Sequence, residues 1–518
     1  PQQHNNQRAS HPSPLVMGGV EYGDITSEDA VAFCLQDAEK ARADTVALTQ
    51  AMIRNRVENF GDGKAQESKS IKVIKDYLEA HGLQSECHAR SERPERQNLV
   101  CSIGSGSPRV MLGPAHVDVV PVTPDDASKA PEDEEYSGWD ENPWSGTVKD
   151  GELFGRGAVD MLNTVAAMLV AFVSIKESAG VKLKGTLLFC AVSDEEAGGD
   201  DGAKFILSDP KLKHLFSADY CVTELGGASI PDFKLKPTLS FFQSTAEKGM
   251  TKVEITLKGR PGHGSIPTAA DNALVRASEV VSKVHAYQAP TVITPEWQSF
   301  VAALQLPGSL GWLLVSTRML PLALRVLRRA GSAIAPVGHA LTRLTMSPNA
   351  LAGAVKDNVV PGVCTASTLA SMLCAVTVDC RTLPGQDEEY VLEHVRQALG
   401  PAIADDYEHC SLSVKYHMPP SRSEPDTPLW HAMEKAASAI IDGASLVPVM
   451  LPGGTDCRYY RGIGGAVAYG ANLLEPSLTF GDLTKRFHGD NERIGLRSLW
   501  ISVQFYSLVS YCPRPPRL

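Results

Sequence analysis

The chain lacks any uninterrupted apolar span long enough to cross a bilayer. A spanning helix needs ~20 apolar residues, and the most apolar segment here is broken by arginines and by Pro321. Positive charge is also short. A formal net charge of -11 and a pI near 5.7 argue against nucleic acid as the main partner, because phosphate binding needs a positive surface. Cysteine pairs at zinc-finger spacing are missing too. The 11 cysteines are scattered, and Cys190, Cys221 and Cys374 fall within apolar strand-like runs, a pattern of buried free thiols in a reducing compartment more than of a disulfide framework. The polar residues 1–8 have no signal-peptide core, and residues 1–20 are expected to be a disordered segment. Residue 1 is proline, so a leader can already have been removed, and localisation stays open between cytoplasm and an organellar lumen. There is no internal repeat. At 518 residues the chain exceeds what one core usually supports, so two domains are expected.

What is present is a scattered set of histidines and carboxylates: His116, Asp118, Asp160, Glu195, Glu196, Glu224 and His488, most on short turns after apolar runs. The run from Val110 ends in His116-Val117-Asp118 and is closed by Pro121. A buried strand delivers His116 to its carboxyl-end edge, where open α/β sheets bind ligands. Asp118, two residues on, points the same way, so its carboxylate can hold the other imidazole nitrogen. Asp160 precedes a helical pattern over 163–175 and reads either as the helix N-cap or as a carboxylate with one metal on each oxygen. The apolar strand 185–192 runs into Asp194-Glu195-Glu196, whose adjacent glutamates point in different directions. One can bind metal while the other faces substrate as an acid/base. Glu224 follows Tyr220-Cys221-Val222, and His488 lies just before a C-terminal helical pattern. Each has an ordinary reading as surface pair, cap or solvated acidic loop. Together they read as a two-metal hydrolase site.

In order and in kind, these motifs resemble the zinc aminoacylase, acetylornithine deacetylase and carboxypeptidase S family over about residues 66–506. The resemblance is nearest to the branch of carboxypeptidase S and the N-fatty-acyl-amino-acid hydrolases, through His116-Val117-Asp118-Val119-Val120-Pro121 and His488-Gly489-Asp490-Asn491-Glu492-Arg493-Ile494. It implies an α/β fold: a catalytic domain of residues 21–247 and 419–518, with a central mixed sheet flanked by helices, and an inserted α+β lid of residues 248–418 that often makes a homodimer. It implies two Zn2+ ions, with Co2+ or Mn2+ in substitution. His116, Asp160 and Glu224 would hold one, Asp160, Glu196 and His488 the other, with Asp118 orienting His116 and Glu195 as catalytic base. Relatives often carry an acidic pair before glycine where this chain reads Thr223-Glu224-Leu225-Gly226, which leaves Glu224 the sole carboxylate there. His263, in Gly262-His263-Gly264, resembles the histidine that stabilises the oxyanion, frequently in the partner subunit's site. Asn358, Arg381 and Arg458 resemble positions that hold the substrate carboxylate or the oxyanion. The planar fork of arginine suits a carboxylate, although either arginine can equally serve a structural ion pair. Imidazole and carboxylate ligands suit zinc, which polarises carbonyls and lowers the pKa of water to about 7.

From residue 248 the pattern agrees with a separate α+β unit: an alternating strand at 251–257, helices near 270–285 and 388–399, and strands near 374–379 and 411–416. Residues 297–355 contain no aspartate or glutamate but carry Arg318, Arg325, Arg328, Arg329 and Arg343 among apolar residues. Such a segment suits a peripheral membrane or lipid contact, an acyl chain, or a partner, and an extra helical layer or dimer contact on the lid is the plainer reading. The expected function is that of a di-zinc amidohydrolase cleaving small N-acyl amino acids or peptides with a free C-terminal carboxylate. The alternative is a non-catalytic scaffold or assembly subunit that docks through 297–355, and the retention of every ligand position favours the enzyme.

Overall fold

The computed structural model describes residues 16–17, 20–21, 37–126, 128–129, 134–178, 183, 185–230, 239–306, 308–332, 334–352, 359–361 and 374–510. The expected disordered segment 1–20 falls mostly outside them, and at its end Val16–Met17 pairs antiparallel with Val20–Glu21.

Four neighbouring strands at the centre of a 10-stranded mixed sheet run parallel: Val467–Gly470, Tyr220–Thr223, Arg109–His116 and Thr186–Val192. Parallel neighbours end on one edge, so the residues that follow them gather there. Thr186–Val192 is buried at every position. Leu187, Phe189 and Ala191 enter the core shared with the helices Ala38–Arg54, Leu162–Glu177 and Leu496–Val509, while Leu188, Cys190 and Val192 enter a second core on the opposite face. A strand covered on both sides has no polar alternation, which accounts for its continuous apolar run. Residues 165–173 of the helix Leu162–Glu177 are apolar all round for a similar reason, lying between the sheet and the helices Ala38–Arg54 and Leu496–Val509. All seven cysteines with described side chains are free and six are buried; the side chain of Cys374 lies outside the described residues.

A second sheet is antiparallel, in the order Thr345–Ala352, Cys374–Thr382, Gly249–Leu257, Cys410–Met418. Alternation sends Val253, Ile255 and Leu257 into a core with the helices Ala273–Ala286 and Glu388–Leu399. The other face presents Met250 across from Arg381 and Met418, and Lys252 across from Tyr416.

Between Ala273–Ala286 and Thr345–Ala352 the chain makes four helices: Pro295–Ala303, Gly308–Val315, Leu320–Arg329 and Ile334–Leu341. Thr294 caps the first through the Trp297 backbone N–H, and Pro295 occupies its first turn. An added layer on the lid is the sequence expectation, but the helices sit elsewhere. Trp297, Phe300, Val301, Leu304, Leu320 and Leu324 join the core of the larger domain, and Pro295–Ala303 lies on its strand Ala444–Leu451. Leu446, Val447, Val449 and Met450 of that strand line the same core, which the apolar side chains of the insertion extend. Residues 345–352 of the segment are instead an edge strand of the second sheet, and 353–355 lie outside the described residues. No single helix among the described residues is long and apolar enough to cross a membrane.

The first crossing between the domains is a single buried residue. The side-chain nitrogen of Lys248 donates to the carbonyls of Ala340 and Arg343, each at 2.8 Å, which ties the end of the four-helix insertion to the crossing. Beside it, Glu247 accepts from the Thr455 backbone N–H and from Ser421 on the returning crossing, each at 3.2 Å.

Candidate metal centre

Three of the parallel strands end in candidate ligands. His116 is the last residue of Arg109–His116, Glu224 follows Tyr220–Thr223, and Glu195 and Glu196 follow Thr186–Val192 after a left-handed turn at Asp194, φ 69°. Asp160 lies two residues before Leu162–Glu177. It is not the N-cap: that position belongs to Met161, and no side chain caps the helix. Instead Glu492, fully buried, accepts the backbone N–H groups of Val159 at 2.7 Å and Asp160 at 3.0 Å and is held in turn by Arg156 at 2.7 Å. That clamp leaves both Asp160 oxygens free. One meets His116 Nε2 at 3.0 Å and the other His488 Nε2 at 3.1 Å. Glu224 lies 3.5 Å from His116, and Glu196 3.5 Å from His488. His488 follows the helix Phe480–Arg486, and its ring opens to a cleft, half-exposed.

The electrostatics ask for positive charge. Burial and the nearby Asp160 carboxylate push Glu224 up to about 8. Burial, with Glu224 beside it, raises Glu195 well above the usual carboxylate range, and burial with Asp160 raises Glu196. Burial alone would strip the proton from His116, yet the carboxylates of Glu224, Asp118 and Asp160 hold it well above its ordinary value. Hydrogen bonds to Asp160 and Glu196 lift His488 to about 10. Divalent cations can replace the protons that this crowd of acids draws in. The donors fit such ions: atoms of His116, Asp160 and Glu196 lie within 4.8 Å of one another, as do those of His116, Glu195 and Glu224. One oxygen of Glu196 is buried with no hydrogen-bond partner. Glu195 is therefore within reach of the same ion as His116 and Glu224, and geometry alone leaves it able to act as ligand or base.

Asp118 differs from expectation in its contacts. His116 Nδ1 meets the backbone carbonyl of Asp118 at 2.9 Å, while the carboxylate is farther, at 3.6 Å. The carboxylate chiefly accepts the backbone N–H groups of Glu195 at 3.2 Å and Glu196 at 3.1 Å, and a side-chain N–H of Asn59 at 2.8 Å. Asp118 thus fixes the glutamate turn as much as the imidazole. Beneath it, Arg96 is buried between Glu67 at 2.7 Å and Asp194 at 2.8 Å. Gly202 lets the chain close this turn, since a Cβ there would stand 1.8 Å from the Ser193 carbonyl oxygen.

A cleft of about 1120 Å³ opens over these residues. The second sheet contributes Met250, Lys252, Arg381 and Tyr416, and the short helix Cys457–Tyr459 that follows the strand Ala444–Leu451 contributes Arg458. Leu225, Phe242, Phe480, Leu483 and Phe487 make an apolar wall, with Phe480 edge-on to Phe242 at 4.9 Å between ring centres. Arg458 donates to the Gly198 carbonyl at 3.1 Å and keeps its Nε without a partner. Arg381 is partly engaged, forked onto Asp379 at 2.7 and 3.1 Å. His263 is not brought to the centre within one chain. It lies exposed on the short strand Gly262–His263, paired with Val359–Val360, and its Nδ1 is met by Ser265 Oγ at 2.7 Å. Asn358 lies outside the described residues.

The pattern that defines Peptidase family M20/M25/M40 matches residues 114–510, which span every candidate ligand. The chain belongs to that family. Membership makes it a metal-dependent amidohydrolase, and the mixed sheet with its second, smaller sheet is the family's architecture. This M20 chain is 26% identical over 401 residues to the N-fatty-acyl-amino acid synthase/hydrolase PM20D1 of Xenopus tropicalis, covering 76% of the chain and 70% of that protein. It is 31% identical over 231 residues to a succinyl-diaminopimelate desuccinylase of Methylorubrum extorquens, covering 44% of the chain and 54% of that enzyme. Among solved structures, human carnosine dipeptidase 1 superposes with a TM-score of 0.65 at 16% identity, over 93% of this chain and 98% of that one.

The sequence reading missed Asn59, Arg96, Glu67 and the apolar wall. Asn59 and Arg96 stand in connectors without periodicity, so nothing local marks them. Glu492 lies within the His488-Gly489-Asp490-Asn491-Glu492 run, and Arg156 stands four residues before Asp160, so both were close to motifs the sequence marks.

Proposed function

We propose that this M20 chain is a two-zinc hydrolase of N-acyl amino acids with an apolar acyl group. The observation that carries the reading is the composition of one cleft, which is lined at once by Asp160, Glu195, Glu196, Glu224 and His488, by the cations Arg458, Arg381 and Lys252, and by the five-residue apolar wall. A carboxylate head suits the guanidinium groups, and an aliphatic tail suits the wall. The relative named for N-fatty-acyl-amino acids supports this reading over a succinylated substrate, which would carry a charged acyl end to an apolar surface.

His116 and Glu224 would hold one ion, Glu196 and His488 the other, with Asp160 between them. Zinc when bound supplies Lewis acidity to the scissile carbonyl and acidity to water. Glu195 takes the proton of the attacking water and passes it to the departing amine. Asp118 and Asn59 hold the Glu195-Glu196 turn so that this carboxylate does not drift. Arg458, whose Nε is unpaired, takes the substrate carboxylate. The exposed His263 would complete the oxyanion contacts from a second copy.

The test is a panel of N-acyl amino acids varied in acyl length and head group, assayed with metal analysis. Two zinc ions per chain and turnover that rises with acyl length to a limit are expected, with chelation abolishing activity and Zn2+, Co2+ or Mn2+ restoring it. A metal-free chain bound to a protein partner would replace the hydrolase with a scaffold.

A further inference from the structure

We propose that Gly308–Val315 and Leu320–Arg329 form a docking surface for an anionic phospholipid bilayer. Large apolar side chains are ordinarily covered, yet Trp312 is 61% exposed, Val326 59% and Leu322 52%. All three sit on these two helices, and Leu322 and Val326 are one turn apart on the face opposite the buried Leu320 and Leu324. Among them stand Arg318, Arg325, Arg328 and Arg329, exposed and without an ion-pair partner among the described residues. No acid lies anywhere from residue 297 to 355, and Glu296, just outside, is taken by Arg422 at 2.8 Å.

The charge identifies the occupant. A protein partner would have to bring several acids and an apolar patch in register, whereas an anionic bilayer offers phosphates over acyl chains at every point of its surface. Tryptophan suits the headgroup boundary, where an amphipathic ring is partly wet. The rest of the chain is more acidic than the net charge of -11 suggests, because this segment contributes only positive charge. Repulsion elsewhere therefore confines the contact to these helices and orients the molecule. The helices meet at 107° and neither alone is long enough to span, and the four exposed arginines in and between them keep the bent pair at the surface. The buried side of the insertion rests on the strand Ala444–Leu451, whose last residue lines the cleft. Docking would hold the cleft at a fixed distance from the bilayer.

Sedimentation of the full metal-loaded chain with phosphatidylcholine vesicles, with and without phosphatidylserine, tests the proposal. Binding to the phosphatidylserine vesicles is expected, weakening as salt rises. Each arginine near such a surface contributes roughly fivefold, so Arg325→Gln with Arg329→Gln should weaken binding about 25-fold. A fluorescence difference between wild type and Trp312→Phe should shift to the blue on vesicle addition. Unchanged melting temperature and unchanged turnover of a short-acyl substrate establish that the variants are folded. Absence of binding to phosphatidylserine vesicles, or equal binding by wild type and the double variant, overturns the proposal. So does a dimer in solution that Trp312→Ser dissociates, which would assign the face to a second copy of the chain.

Discussion

Asn59 donates a side-chain N–H to the carboxylate of Asp118 at 2.8 Å, with both residues buried. The same amide reaches Asp194 at 3.3 Å, so one neutral side chain joins the residue beneath His116 to the turn that carries Glu195 and Glu196. Asn59→Leu keeps the volume and removes the donor. Partners of this kind cost roughly 10–100-fold in activity when lost, and the expected outcome is a fall of that size in kcat with little change in KM and with metal still bound. An unaltered kcat would show that the two backbone N–H groups hold Asp118 unaided.

Glu195→Gln preserves shape and hydrogen bonding while removing the group that moves the proton. A positioned acid/base contributes roughly 10²–10⁴-fold, so turnover should drop by that range while metal content by elemental analysis stays at the wild-type value. Loss of one metal together with activity would instead make Glu195 a ligand, the other role its position allows.

Arg458→Gln separates recognition from chemistry. A hydrogen bond to a charged group is worth about 1.5–3 kcal/mol, or roughly 10–100-fold in binding. KM should rise by that factor for a substrate with a free carboxylate and stay near wild type for the corresponding carboxamide. Equal loss on both substrates would reduce Arg458 to its bond with Gly198.

Lys248 gives a stability prediction with a sign. Burial, with Arg381 and Arg343 adding repulsion, lowers its pKa to about 7, against about 10.5 in an unfolded chain. Between those values the unfolded state holds the extra proton, so this residue makes stability rise with pH from about 7 to about 10. Urea unfolding across that window should show a slope up to ~1.4 kcal/mol per pH unit steeper in wild type than in Lys248→Met. Parallel curves would mean that the carbonyls of Ala340 and Arg343 keep the ammonium charged.

Much of the centre was readable because three apolar runs each stop at a histidine or an acid. His116, Glu195 with Glu196, and Glu224 are placed by strand order alone once their strands run parallel. Asp160 was ambiguous in the sequence, since an acid before a helix is usually its cap; only the tertiary contact with Glu492 shows its backbone held and its carboxylate free. The apolar wall was hidden for another reason. Phe480, Leu483 and Phe487 repeat at helical spacing, a pattern that normally marks core, and the open cleft beside them follows from packing between distant elements. The insertion was legible as helical and basic, but its attachment was not, because an apolar face does not say which core it completes.

That attachment changes what the smaller domain is free to do. A cap joined to its base by two strands of chain could swing like a door on a pair of pins. Here a loop of the door has been sewn to the frame, with Trp297 and Phe300 as the stitching and Lys248 as the knot. Wide opening would have to tear that seam, so exchange of substrate and product should proceed through the cleft mouth as it stands.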